Sequence, residues 1–171
     1  MKYTFAILAT TAAVSIAASA HAADESAKSK ADIDYKDNGG YEATLSSENK
    51  NADGTAHTAK VTEDVDINDD GTGSRTTEKV TTTDPKGLMN KSKNTAKVEV
   101  EQKDNGGYEK TATTKATDSN GTNVVNEVKT DVDVNDDGSV SSETTTKKTV
   151  DPKGLFNKTT TESKSKASDS Y

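Results

Sequence analysis

The chain has 171 residues, a formal net charge of −7, 29% hydrophobic residues and no cysteine. Without cysteine there is no disulfide framework, no thiolate metal site and no thiol nucleophile. The acidic balance makes nucleic acid and anionic membrane surfaces poor partners.

Residues 1–22 read as an export signal. Lys2 supplies the positive end, Phe5 to Ala18 a mostly apolar run, and Ala20-His21-Ala22 the small-x-small site that a signal peptidase requires. An uncleaved membrane anchor is disfavoured, because the run is short and diluted by threonine. Cleavage after Ala22 leaves a periplasmic or secreted chain in which no later stretch is apolar enough to span a bilayer. Removing Lys2 with the signal leaves 21 basic and 29 acidic residues, a net charge of −8 that mainly argues solubility because the signs are well mixed.

The second half of the chain repeats the first without a gap. Lys36-Asp37-Asn38-Gly39-Gly40-Tyr41-Glu42 returns 67 residues later as Lys103-Asp104-Asn105-Gly106-Gly107-Tyr108-Glu109. Asp84-Pro85-Lys86-Gly87-Leu88 likewise returns as Asp151-Pro152-Lys153-Gly154-Leu155. After a polar lead at 23–31, unit one covers 32–98 and unit two 99–165, and a polar tail at 166–171 is expected to fray. No proline-rich or glycine-rich linker separates the units, which predicts one continuous structure.

Glycine marks the corners of each unit, as Asn38-Gly39, Asp53-Gly54 and Asp70-Gly71 and then Asn105-Gly106, Asn120-Gly121 and Asp137-Gly138. These pairs favour hairpin turns because glycine accepts positive φ without a steric penalty. Between corners the apolar residues alternate with polar ones. Val61, Val65 and Ile67 oppose Lys60, Asp64 and Asp66, and Val124, Val128, Val132 and Val134 oppose Glu127, Lys129, Asp131 and Asp133. A period of two means one apolar and one wet face, whereas a helix needs spacings of three and four. The fold class expected is all-β, an antiparallel β-meander of about ten long strands built from the two repeats. It forms either an open twisted sheet or a barrel, with two longer Asp-Pro-Lys-Gly corners. Lysine and serine across Lys158 to Lys166 suit an edge strand that resists pairing with other chains. An outer-membrane barrel fails on chemistry, because Thr76 to Thr83 and Lys110 to Thr117 cannot supply a lipid-facing apolar rank. Disorder is the competing state. Leu, Ile, Val and Phe number 18 of the 149 residues after Ala22, about 12%, below the roughly 20% that warns of an unfolded chain.

The sharpest candidate site is the acidic segment Asp64, Asp66, Asn68, Asp70 with its copy Asp131, Asp133, Asn135, Asp137. Alternate oxygens followed by glycine match the first half of a calcium loop. The second half departs from it, since position twelve is Thr77 or Thr144 rather than the bidentate glutamate. Calcium is the one cofactor the sequence suggests; alternatively Asn-Asp-Asp-Gly is simply a good turn beside a solvated face. Leu88, Met89, Leu155 and Phe156 at the Asp-Pro-Lys-Gly corners are candidate partner-binding residues, or else a plug over the end of the sheet. Tyr41 and Tyr108 follow the Gly-Gly turns, and serve either cross-strand packing or stacking on a partner.

Catalytic residues are not evident. His57 is the one histidine after Ala22 and its counterpart is Val124, and neither an oxyanion-hole signature nor a phosphate-cradling loop occurs. The expected function is therefore that of an exported, non-enzymatic structural or interaction module, with a protein or cell-envelope component as partner. A calcium-responsive module and a disordered chain that folds on its partner are the alternatives.

Overall fold

β-Branched and polar residues alternating between glycine corners form extended chain, and each corner returns the next segment alongside the last. The computed structural model describes residues 27–87, 91–154 and 157–169. Residues 1–22, expected to be an export signal, and the corner residues Leu88, Met89, Leu155 and Phe156 lie outside the described residues. Nine strands follow in order: β1 Lys28–Tyr35, β2 Tyr41–Lys50, β3 Ala56–Ile67, β4 Gly73–Asp84, β5 Ser92–Gln102, β6 Tyr108–Thr117, β7 Asn123–Val134, β8 Val140–Asp151 and β9 Thr159–Asp169. They form one antiparallel sheet in which spatial order equals chain order. No helix occurs among the described residues, and none there is long and apolar enough to cross a membrane.

The choice between open sheet and barrel resolves to the open form. Among the described residues each strand lies against only its sequence neighbours, so β1 and β9 are the two edges and do not meet. Nine strands rather than about ten follow from the corners: each repeat supplies four, and one strand after the last corner completes the row. The polar tail is not frayed at its start, because Lys166 pairs with Glu143 across β8–β9 at 2.7 Å and carries β9 on to Asp169. Likewise β1 begins at Lys28, inside the polar lead.

Six of the connections share one geometry. At the first, Gly39 N donates to Lys36 O and Lys36 N donates to Gly40 O, both at 3.0 Å, with Gly39 at φ 85°. This is a turn closed by a glycine bulge, whose twist matches that of the flanking strands. The next residue, Gly40, is glycine for a different reason. A Cβ there would stand 2.1 Å from the Val65 carbonyl oxygen, and at Gly107 the same distance from that of Val132.

The register sorts side chains onto two unlike faces. Tyr41 pairs with Val65, Leu45 with Val61, Val98 with Ala112, Ala112 with Val128 and Val134 with Val140. Every Val, Ile, Leu and Tyr of the strands lies on this apolar face except Val80 and Val125. The opposite face carries most of the charge, while threonine and serine occur on both. Among the described residues the sheet is a single layer with nothing to close against, and the buried hydrophobics there are Val61 and Val65, at 5% and 7% exposure.

Candidate interaction face

The acidic segments divide into two local jobs. Strand β3 stays extended through Ile67, which points Asp64 and Asp66 off the charged face side by side. Lys36, from the β1–β2 turn, reaches across and donates through Nζ to Asp64 and, at 2.8 Å, to Asp66 Oδ1. Asn38 Nδ2 adds a 3.4 Å contact to the same Asp66 oxygen. The copy is faithful: Lys103 donates to Asp131 and, at 2.7 Å, to Asp133, and Asn105 Nδ2 lies 3.1 Å from Asp133. Hydrogen bonds to the two carboxylates raise the pKa of Lys36 and of Lys103. The lysine first, and the asparagine second, hold Asp66 and Asp133 below the usual carboxylate range.

Asn68 and Asp70 belong to the next turn instead. Asp70 Oδ1 accepts from Thr72 N at 2.8 Å and Thr72 Oγ1 at 2.7 Å, while Asn68 Nδ2 donates to Thr72 Oγ1 at 2.8 Å. Asp137 accepts from Ser139 N and Oγ at 2.9 and 2.6 Å, with Asn135 donating to Ser139 Oγ at 2.8 Å. These bonds hold Asp70 and Asp137 low as well, the hydroxyl contributing more than the backbone N–H. The four candidate calcium ligands of each unit are thus split between a lysine clamp and a turn lock. Among the described residues no three His, Cys, Asp or Glu side chains converge as a metal site.

A pH dependence follows from the clamp. Asp66 and Asp133 titrate lower folded than unfolded, so between those values the unfolded chain binds more protons and stability rises with pH. Their contribution is full above the ordinary carboxylate range and is lost as pH falls through their lowered values. Lys36 and Lys103 titrate higher folded than unfolded, so theirs is full below the ordinary lysine range and is lost as pH rises through the raised values. Lys36→Met/Lys103→Met should melt below wild type at pH 7, with the gap narrowing toward pH 2; thermal melts across pH check this.

On the apolar face, unit one holds a polar triad that unit two lacks. Glu63 is buried at 9% exposure between the apolar neighbours Val61 and Val65. Tyr41 Oη donates to Glu63 Oε1 at 2.9 Å, and Arg75 Nε stands 2.7 Å from the same oxygen. The Arg75 N–H points off that oxygen, so the contact is ionic rather than an aligned hydrogen bond. Burial first, and Glu63 second, raise the Tyr41 pKa. Counting 67 on, Glu63 becomes Thr130 and Arg75 becomes Ser142, and Thr130 instead meets Thr144 at 3.3 Å between hydroxyls. Comparing the repeats position by position on the apolar parity would have exposed this departure in the sequence; reading each motif alone did not.

Tyr41 packs within the sheet, whereas its copy Tyr108 is 40% exposed, and Ile33 and Tyr35 on edge strand β1 reach 56% and 82%. His57 lies 3.2 Å from both Asn51 Nδ2 and Thr83 Oγ1. A groove of about 760 Å³ crosses β7–β9 on the charged face. Its lysines are paired: Lys129 meets Glu109 at 2.9 Å, and Lys166 and Lys164 meet Glu143 at 2.7 and 3.8 Å. Among the described residues, the broad apolar face is the feature left without a partner. No family model, no curated protein and no solved structure matches the chain.

Proposed function

We propose that this is an exported, non-enzymatic β-repeat protein that acts as a structural or interaction module of the cell envelope or its surroundings through one face of its sheet. The observation that carries the reading is the sorting of side chains: nearly all strand apolar residues share a face that nothing among the described residues covers. Sheets are stable in layers, so an amphipathic sheet standing alone is one half of an interface. The signal-like pattern of residues 1–22 supports putting that interface outside the cytoplasm. A protein or an envelope component is the partner class.

The calcium reading competes at Asp64, Asp66 and their copies, where a lysine ammonium already supplies the neutralising charge. Circular dichroism melts of the chain from Ala23 onward should therefore show a strand spectrum and a Tm indifferent to millimolar calcium. A Tm that climbs with calcium, and loses that response in Asp66→Ala/Asp133→Ala, would favour the calcium module. A coil spectrum in both conditions would favour a chain that folds on its partner.

A further inference from the structure

We propose that the apolar face docks on an anionic phospholipid bilayer, with Lys79, Lys110 and Lys148 contacting headgroups and Ile33 and Tyr35 entering the interface. The proposal rests on the reading of that face as the interaction surface, and names its occupant.

The net charge, which by itself argues against an anionic surface, averages two unlike sides. Register places Asp32, Asp34, Glu42, Asp64, Asp66, Glu99 and Glu101 together on the charged face. Across β1–β8 the apolar face carries one carboxylate, Glu63, and it is occupied by Arg75 and Tyr41. The same face carries Lys79, Lys110 and Lys148, each exposed and each on a different strand. It is therefore apolar and cationic at once. The carboxylates stand on the far side of the sheet, on the order of a Debye length (~8 Å) away or more, where salt weakens their opposition.

Size and shape narrow the occupant. Nine strands at about 4.8 Å spacing and some eleven residues at ~3.4 Å rise give a face of roughly 1,500 Å². Chain segments outside the described residues after Ala22 are 23–26, 88–90, 155–156 and 170–171, too short to cover it. A second copy laid face to face would oppose lysine with lysine, and Glu63 is already engaged. A bilayer instead supplies a flat apolar phase topped by negative charge. Lysine stems lie along apolar surface with the ammonium at the headgroups, and tyrosine suits the boundary. Backbone groups within the sheet are already paired, so docking by this face strands none of them except at the edges.

The test is co-sedimentation of the chain from Ala23 onward with phosphatidylglycerol vesicles, with phosphatidylcholine vesicles as comparison, at low and high salt. Binding is expected to the first alone and to fall with salt. Lys79→Gln/Lys110→Gln/Lys148→Gln should weaken it roughly tenfold or more. Lys60→Gln/Lys93→Gln/Lys115→Gln, the same charge change on the other face, should leave it within about twofold of wild type. All six lysines are exposed, so circular dichroism should confirm intact sheets in both triple variants. No binding to phosphatidylglycerol, or equal loss in the two triples, overturns the proposal. Self-association that the apolar-face triple strengthens would also overturn it, in favour of a second copy, while leaving that face as the interaction surface. A monomer that binds neither vesicles nor an apolar dye would sink both.

Discussion

Gly40→Ala should destabilise the sheet by on the order of 3 kcal/mol, and Gly107→Ala by a similar amount. In each case the added methyl meets a backbone carbonyl of the next strand but one at 2.1 Å, and backbone cannot swing aside as a side chain can. Either the turn must open, releasing the lysine clamp, or β2 must part from β3. Gly71→Ala is the matched control. It sits at φ 87° with nothing within 4 Å of the new atom, so only the left-handed backbone cost of about 1 kcal/mol applies. Thermal melts should place Gly40→Ala roughly 10 °C below wild type and Gly71→Ala much closer to it. Equal shifts would mean that β3 does not approach Gly40 as described.

Val61→Asp should be more damaging still, on the order of 4 kcal/mol. Val61 is 5% exposed between Leu45 and Lys79 across the strands, with Glu63 two residues along on the same face. The substitution forfeits about 2 kcal/mol of apolar burial and places a second carboxylate beside one that Arg75 already neutralises. Val80→Asp makes the identical chemical change on the charged face, where the cross-strand neighbours are Lys60 and Thr95. A lysine stands opposite at both positions, but at Val80 the half-exposed site keeps the new carboxylate hydrated, so the cost should lie within about 1 kcal/mol. Urea titrations of the two variants read the difference between the faces directly.

Much of the architecture is legible in the residues themselves. Val124, Val128, Val132 and Val134 keep one parity because a half-buried strand shows alternate residues to each side, and the structure places all four on one face. Glycine after Asn or Asp marks where the chain turns, and Gly39, Gly54, Gly71, Gly106, Gly121 and Gly138 all take φ between 84° and 87°. The acidic segment was harder. Read along the chain, Asp64 to Asp70 resemble ligands of one loop, but β3 runs to Ile67 and sends the first two to a lysine 28 and 30 residues earlier. Spacing shows what is local, and the partner here is not. Glu63 escaped for a related reason: a lone charge at an apolar position looks like noise until Tyr41 and Arg75 arrive from the strands on either side. Strand ends were the least legible: Lys158 to Lys166 reads as an edge strand, but nothing in Ala167–Asp169 signals that it runs on.

Single-cysteine scanning along β7 reaches the central claim most directly, because the chain contains no cysteine to interfere. With one cysteine at a time from Val124 to Val132 carrying a polarity-sensitive fluorophore, emission should alternate: blue-shifted at even numbers, among the apolar side chains, and red-shifted at odd ones. Uniform emission, or a blue shift recurring every three to four residues, would contradict a sheet with two unlike sides.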